Sequence, residues 1–124
     1  MERSPDLIRD ILLVIEQAPA GTKLNGAELT FEGFSPVEVS EHLCLLEEAG
    51  LIKAVISRSL GAASPRLVII DRLTWEGHDF LDSVRSPAVW KKTRAAVLDK
   101  GGAFTFELLK EVALHFAREH LNLG

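Results

Sequence analysis

Residues 39–52 read VSEHLCLLEEAGLI, and this stretch decides the expected fold. Apolar side chains recur in it with the i, i+4, i+7 spacing of one helix face, at Val39, Leu43, Leu46 and Ala49. That spacing predicts a helix over 36–49 with this face on the core. Gly50 is a typical C-terminal stop, and apolar residues resume at once. A strand is therefore expected over 51–57.

The elements around this stretch follow from caps and periodicity. A second strand over 67–73 is rich in β-branched residues, and the loop RSLGAASPR joins the two strands as a hairpin. The segment 22–34 has little helical periodicity, and Ala27–Phe31 could form a short strand or one helical turn. The strand is favoured, because Thr30 and Phe31 prefer extended structure and Gly33 follows closely. Capping residues and 3.6-residue periods predict helices over 5–17, 36–49, 75–84, 87 to 101–102, and 106–121.

This order of elements predicts the fold class. The chain is expected to be mainly α with a small β-hairpin, arranged as a winged helix-turn-helix with a C-terminal helical extension. Its 124 residues suit a single domain, with the winged helix at about 5–85 and the extension at about 86–124. The helix that normally precedes the turn is short or missing in 22–34, which departs from standard DNA docking.

Four motifs carry a resemblance to a known family. They are DLIRDILL near the start, HLCLLEEAGLI, LTWEGHDFLD, and VWKK ahead of a Gly-Gly pair. With them the chain resembles a family of uncharacterised winged-helix proteins of bacteria and phages, a domain of unknown function. The likeness covers nearly the whole chain. It implies the winged-helix fold and implies no activity. HLCLLEEAGLI and RLTWEGHDFL also resemble the recognition helix and wing exit of small bacterial repressors.

The charge is unevenly distributed along the chain. Residues 1–50 hold 3 Lys and Arg against 10 Asp and Glu, whereas residues 51–124 hold 11 against 8. A nucleic-acid binder usually carries a basic footprint on its reading surface. The first half lacks one. No signal peptide or membrane segment is expected, and the single cysteine excludes an internal disulfide, so a cytoplasmic protein is expected.

A DNA-binding transcriptional regulator of bacterial or phage origin is the first functional hypothesis, and it rests on fold analogy. Cations around the hairpin could contact phosphates of double-stranded DNA, although ordinary hairpin charge explains them equally well. The candidate contacts are Arg58, Arg66, Lys53 and Ser40. Because they lie off the core stripe, Ser40 and Cys44 are expected on other faces of the predicted helix. The helix of residues 36–49 argues against base readout, because it contains several glutamates and no Lys or Arg.

The alternative is a protein–protein interaction module that has the fold and does not bind DNA. Apolar and acidic side chains on the outer face of the same helix could contact a basic partner. The candidate residues are Val37, Glu41, Leu45 and Glu48. A solvated acidic face without any partner is a further interpretation. A homodimer through the last helix is also expected, because its apolar positions cover more than one side.

Enzymatic function is not expected from this sequence. The four histidines lack the spacing of a metal pair, since His115 and His120 are five residues apart. Cys44 with His42 or His78 could form a nucleophile and base, but a cysteine among leucines is more often buried. No glycine-rich phosphate loop is present. We therefore expect no catalytic residues, no metal and no cofactor.

Overall fold

The computed structural model describes residues 1–57, 65–99 and 104–121. These residues form five α-helices, three β-strands and one 3₁₀ turn. In chain order they are α1 (Pro5–Gln17), β1 (Leu24–Asn25), the 3₁₀ turn (Gly26–Glu28), α2 (Pro36–Glu48), β2 (Ile52–Ile56), β3 (Val68–Leu73), α3 (Trp75–Val84), α4 (Pro87–Asp99) and α5 (Phe106–His120). The predicted mainly helical class with a small antiparallel sheet is confirmed.

The chain forms two compact units, Met1–His78 and Asp79–Gly124, which are described separately. The predicted arrangement as a single domain stays a prediction. The part of the hairpin loop at 58–64 lies outside the described residues, as does the expected end of α4 at Gly101–Gly102.

Helix α1 begins and ends where the sequence predicts. The Ser4 hydroxyl accepts a hydrogen bond from the backbone N–H of Leu7 (3.2 Å), and Pro5 occupies the first turn, where its missing N–H has no helical partner to lose. Its inward face is a stripe of fully or nearly fully buried aliphatic side chains, Leu7, Ile11, Leu12 and Ile15. The helix is therefore fixed to the core of the first unit by burial rather than by charge.

The segment that follows α1 differs from the prediction. The favoured strand at Ala27–Phe31 is wrong, and the alternative of one helical turn is closer to the structure. The strand of this segment is Leu24–Asn25, which pairs antiparallel with β3, and a 3₁₀ turn at Gly26–Glu28 follows it. The reason is local. The Asn25 side chain accepts a hydrogen bond from the backbone N–H of Ala27 (2.9 Å) and so starts the turn.

The predicted hairpin is confirmed. β2 and β3 pair antiparallel, and the described sheet has the strand order β1-β3-β2. Ile52, Val68 and Ile70 are buried, while Lys53 and Val55 point to solvent. The register shifts between Lys53 and Ala54, which is a local irregularity of the edge strand β2.

Helix α2 packs on the core through Val39, Leu43 and Leu46, as the periodicity predicts. The fourth predicted core position, Ala49, is wrong, because this residue is exposed. The helix ends at Glu48, and Gly50 adopts a positive φ of 77°, which only glycine takes up without strain. The chain has therefore left the helix axis before Ala49 can reach the core.

A threonine connects the end of α2 to the start of α3. The Thr74 hydroxyl donates to the Gly50 carbonyl (2.5 Å) and accepts from the Gly77 backbone N–H (3.0 Å), so Thr74 caps the start of α3. Gly77 is required by space, because a Cβ there would overlap the carbonyl oxygen of Leu51. The LTWEG motif therefore encodes a close approach of α3 to the first residue after the turn.

In the second unit, α4 and α5 pack on each other. Trp90 and Val97 are buried, and the rings of Phe80 and Phe106 lie 5.0 Å apart. Thr105 caps α5 by accepting from the backbone N–H of Leu108 (3.0 Å). Within residues 1–57, 65–99 and 104–121, none of the helices has the length and apolar character that a membrane crossing requires.

Candidate interaction surface

The start of α2 is fixed by a reciprocal cap. The backbone N–H of Ser35 donates to Glu38 Oε1 (3.0 Å), and the backbone N–H of Glu38 donates to Ser35 Oγ (3.2 Å). The backbone and side-chain hydrogen bonds from Ser35 lower the pKa of the Glu38 carboxyl below its ordinary value. The Glu38 carboxylate thus caps the N-terminus of α2, and it is the one glutamate of this helix that takes part in the cap.

The outer face of α2 carries the four residues predicted for protein interaction. Their spacing of i, i+4, i+8 and i+11 places them on one side of the helix. Glu48 is exposed, and the other three are half-buried. We call this set the acidic stripe: Val37, Glu41, Leu45 and Glu48. Together with exposed Glu47, it gives the surface of α2 a single sign of charge, since the helix contains no Lys or Arg.

Ser40, a predicted DNA contact, lies beneath this surface. Only 6% of the residue is exposed, and its hydroxyl accepts from the backbone N–H of Arg66 (2.9 Å) and donates to the Arg66 carbonyl (3.3 Å). These bonds hold the chain in place just ahead of β3. The prediction placed Ser40 on an outer face of the helix, and that placement is wrong. A base contact would require this buried bridge to open.

Arg66, the second predicted DNA contact, lies against α2. Its Nε is 3.9 Å from Oε1 of Glu41, and each side chain is just under half exposed. The structure therefore brings together one residue predicted for DNA and one predicted for protein binding. At this distance and exposure the pair contributes little to stability. The pair instead affects the charge of the surface, because it brings a hairpin cation next to the acidic stripe.

The other described cations of the hairpin lie at the base of the sheet. Lys53 on β2 faces Arg72 on β3 in the register, and both are exposed. Arg72 Nη1 donates to the backbone carbonyl of Leu73 (3.0 Å). Arg58 lies outside the described residues. The described hairpin thus separates its cations between the sheet base and the helix side.

His42, one of the residues weighed for chemistry, has structural partners. His42 is buried, its Nε2 accepts from the Ser4 backbone N–H (2.9 Å), and its Nδ1 lies 2.8 Å from the Glu38 carbonyl. Because an N–H donates to Nε2, the proton must sit on Nδ1, which donates to that carbonyl. The imidazole therefore joins α1 to α2 and has no nitrogen left for proton transfer.

Cys44 is buried, as expected for a cysteine among leucines, although its helix position also suggested an outer face. Burial raises the pKa of its thiol, and the nearby Arg66 guanidinium opposes this rise without cancelling it. An activated nucleophile shows the opposite shift. Among the described residues, no group of three or more His, Cys, Asp or Glu side chains could hold a metal ion.

A small cleft beside α2 was not foreseen from the sequence. It has a volume of about 130 Å³, and apolar side chains form most of its lining: Leu29, Phe34, Pro36, Val39, Leu43 and Pro65. Gly26 lies at its floor, where an added Cβ would come within 2.8 Å of Leu43 Cδ1. The lining comes from separate parts of the chain, so no single sequence motif predicts the cleft.

Comparison with known proteins assigns the chain to one family. The family model described as "Hypothetical protein (DUF2513)" matches residues 2–103. An uncharacterized protein of Haemophilus influenzae is 37% identical over 115 residues, which span 91% of this chain and 92% of that protein. No solved structure matches. Neither description names an activity.

Proposed function

We propose that the first unit of this chain, which belongs to the DUF2513 family of hypothetical proteins, is a winged-helix module that binds protein. In this proposal the acidic stripe on α2 docks a basic segment of a partner. The unit acts by binding, and no residue in it has a catalytic role. The observation that carries the proposal is the surface of α2, which combines Val37 and Leu45 with carboxylates and has no cation of its own.

The winged-helix assignment is supported by the order of elements. Helix α1, a short edge strand, helix α2 and the β2–β3 hairpin follow one another as in that fold. The 3₁₀ turn at Gly26–Glu28 stands where a full helix usually precedes the recognition helix. A reader helix that lacks its usual supporting helix is a poor match to standard groove docking.

Electrostatics favours a basic protein over DNA at this face. Duplex DNA carries one negative charge per roughly 1.7 Å of its axis, so carboxylates pressed toward phosphates are repelled. The ion pair of Arg66 with Glu41 supports this proposal, because a guanidinium already lies beside a carboxylate of the stripe. A Lys or Arg from a partner could take the place of Arg66, and an apolar neighbour could cover Leu45.

DNA binding through the hairpin is the second candidate, because Lys53 and Arg72 face each other and are both exposed. In that case phosphate contacts from these residues, with Arg66 and Arg58, would carry the affinity. The regulator hypothesis then depends on the hairpin, since α2 supplies no cation.

Selection from a phage library of short random peptides tests the proposal. We expect the selected peptides to place Lys or Arg beside an apolar residue, and their affinity, measured by calorimetry, to fall as salt rises. The variant Glu41→Lys/Glu48→Lys should lose at least about tenfold in affinity. The matched control is Glu107→Lys/Glu111→Lys on α5, which changes the net charge equally at exposed positions and should bind as the unmodified protein does.

The DNA arm uses random-sequence duplex and fluorescence anisotropy at low salt. We expect no saturable binding. Saturable binding that disappears in Lys53→Ala/Arg72→Ala would instead support the hairpin candidate. If the selected peptides lack basic residues, or if both charge-reversal variants bind them equally, the acidic stripe is not the docking face.

A further inference from the structure

The cleft beside α2 has the shape of an anchor site. Its floor is formed by the buried side chains Val39 and Leu43. Its walls include Leu29 and Phe34, which are half-buried, and Pro36, which is exposed. An occupant could therefore reach the core from solvent without opening the fold.

The size of the cleft selects one kind of occupant. Its volume of about 130 Å³ is close to that of an apolar cavity of roughly 150 Å³ that holds benzene. One aromatic ring or one branched aliphatic side chain fits such a space. A whole cofactor does not, because ligand sites of that class are typically about 300–1,000 Å³.

The chemistry of the cleft floor also disfavours a polar occupant. The Ser40 hydroxyl at its edge is already bonded twice to the backbone of Arg66. No buried side-chain nitrogen or oxygen lacks a hydrogen-bond partner in the part of the chain that the structure describes. A polar group placed there would lose its water and find little to bond in return.

The cleft is coupled to the acidic stripe through one residue. Arg66 lines the cleft, and its guanidinium Nε is 3.9 Å from Oε1 of Glu41. A segment seated in the cleft would therefore pass next to a carboxylate. A cation adjacent to the seated side chain would compete with Arg66 for Glu41.

We propose that this cleft receives a single aliphatic or aromatic side chain of the basic segment that docks on the acidic stripe. The inference rests on the proposed function and adds the recognition motif: an apolar anchor flanked by Lys or Arg. The anchor supplies affinity by burial, and the flanking cation supplies orientation by pairing with Glu41.

Filling the cleft tests the anchor. Thr30 is exposed and lines the cleft, so Thr30→Phe places a ring at its mouth. Glu32→Phe adds the same ring to the same loop at an exposed position outside the lining. Peptides selected on the unmodified protein should bind Thr30→Phe about tenfold to a hundredfold more weakly. They should bind Glu32→Phe as they bind the unmodified protein.

A small apolar probe reports on the cleft without any peptide. Toluene titrated into the protein should cause saturating shifts in the methyl NMR signals of Leu29, Val39 and Leu43, and Thr30→Phe should abolish them. Shifts that do not saturate, or that persist in Thr30→Phe, would overturn the assignment. Unchanged far-UV circular dichroism and denaturation midpoints for both variants would verify that each remains folded.

The two proposals can fail separately. If Glu41→Lys/Glu48→Lys weakens peptide binding and Thr30→Phe does not, the cleft is not the anchor site and the acidic stripe keeps its role. If Thr30→Phe weakens binding and the charge variant does not, the cleft is an anchor for a segment that is not recognised by its charge. In that case the proposed acidic docking face fails.

Discussion

The two sides of α2 are held by different interactions: close packing on one side and weak surface pairing on the other. The buried side presents Val39, Leu43 and His42, each with at most 2% of its surface exposed. The outer side presents the acidic stripe, in which the described partner of Glu41 is the Arg66 guanidinium at 3.9 Å. Close packing makes the first side intolerant of change, whereas weak surface pairing leaves the second side free to vary. The fold and the binding properties of one helix can therefore be altered separately.

The largest expected effect is on the buried side. Leu43→Ala removes a side chain with no exposed surface and enlarges the adjoining cleft, so it should lower the free energy of unfolding by about 2–5 kcal/mol. Leu45→Ala, a half-buried leucine on the acidic stripe, is the matched control and should cost clearly less. Chemical denaturation of both variants measures the difference. Equal losses would show that the two sides of α2 are not distinct.

The second effect concerns the imidazole between α1 and α2. His42→Ala leaves the Ser4 N–H and the Glu38 carbonyl without their partner and should cost about 1–3 kcal/mol. His78→Ala is the control, since His78 is exposed. Thermal unfolding should show a lower midpoint for His42→Ala alone. If both variants melt together, the bridge does not stabilise the first unit.

Much of this contrast could be predicted from the sequence. Caps such as Ser35 and Thr74 act on residues a few positions away, so their roles are visible in the sequence itself. The buried stripe of Val39, Leu43 and Leu46 also followed from helical spacing, but Ala49 did not, because the helix has already ended there. Ser40 and Cys44 are buried outside that stripe, where the spacing did not predict it. Local rules therefore defined the fold well.

Contacts between distant segments could not be predicted in this way. Ser40 is 26 positions from Arg66, and no local rule shows that its hydroxyl is bonded to that backbone. The strand at Ala27–Phe31 was wrongly favoured over a helical turn, because the Asn25 side chain accepts from the Ala27 N–H and starts a turn there. The cleft was missed because it is assembled from segments on both sides of α2 in the sequence.

A smaller effect is a pH dependence at the start of α2. The folded state lowers the pKa of Glu38, so its contribution to stability is present above the pKa of the unfolded chain and is lost as pH falls through the folded value. The decline should therefore occur below the ordinary glutamate range of about 4.3. Denaturation in a pH series should show a shallower acid decline for Glu38→Gln. Glu47→Gln, outside the cap, should behave as the unmodified protein, and identical curves for all three proteins would contradict a role for the cap.

The smallest expected effect on stability is at the acidic stripe. Glu41→Gln removes the exposed pair with Arg66 and should change the free energy of unfolding by about 0–1 kcal/mol. The same change should weaken binding of a basic peptide, which separates function from folding at this position. Denaturation and calorimetry on one preparation measure both quantities. A loss of stability comparable with that of Leu43→Ala would place Glu41 among the residues that hold the fold.

The most direct measurement maps the bound surface. Backbone amide NMR shifts can be recorded for one protein sample with a selected basic peptide and for another with random-sequence duplex DNA at the same low salt. We expect the peptide to shift amides of α2 from Val37 to Glu48, and the duplex to cause no saturating shifts. Saturating duplex shifts centred on Lys53, Arg66 and Arg72, with α2 unaffected by the peptide, would contradict a protein-binding helix and establish the hairpin as a DNA contact.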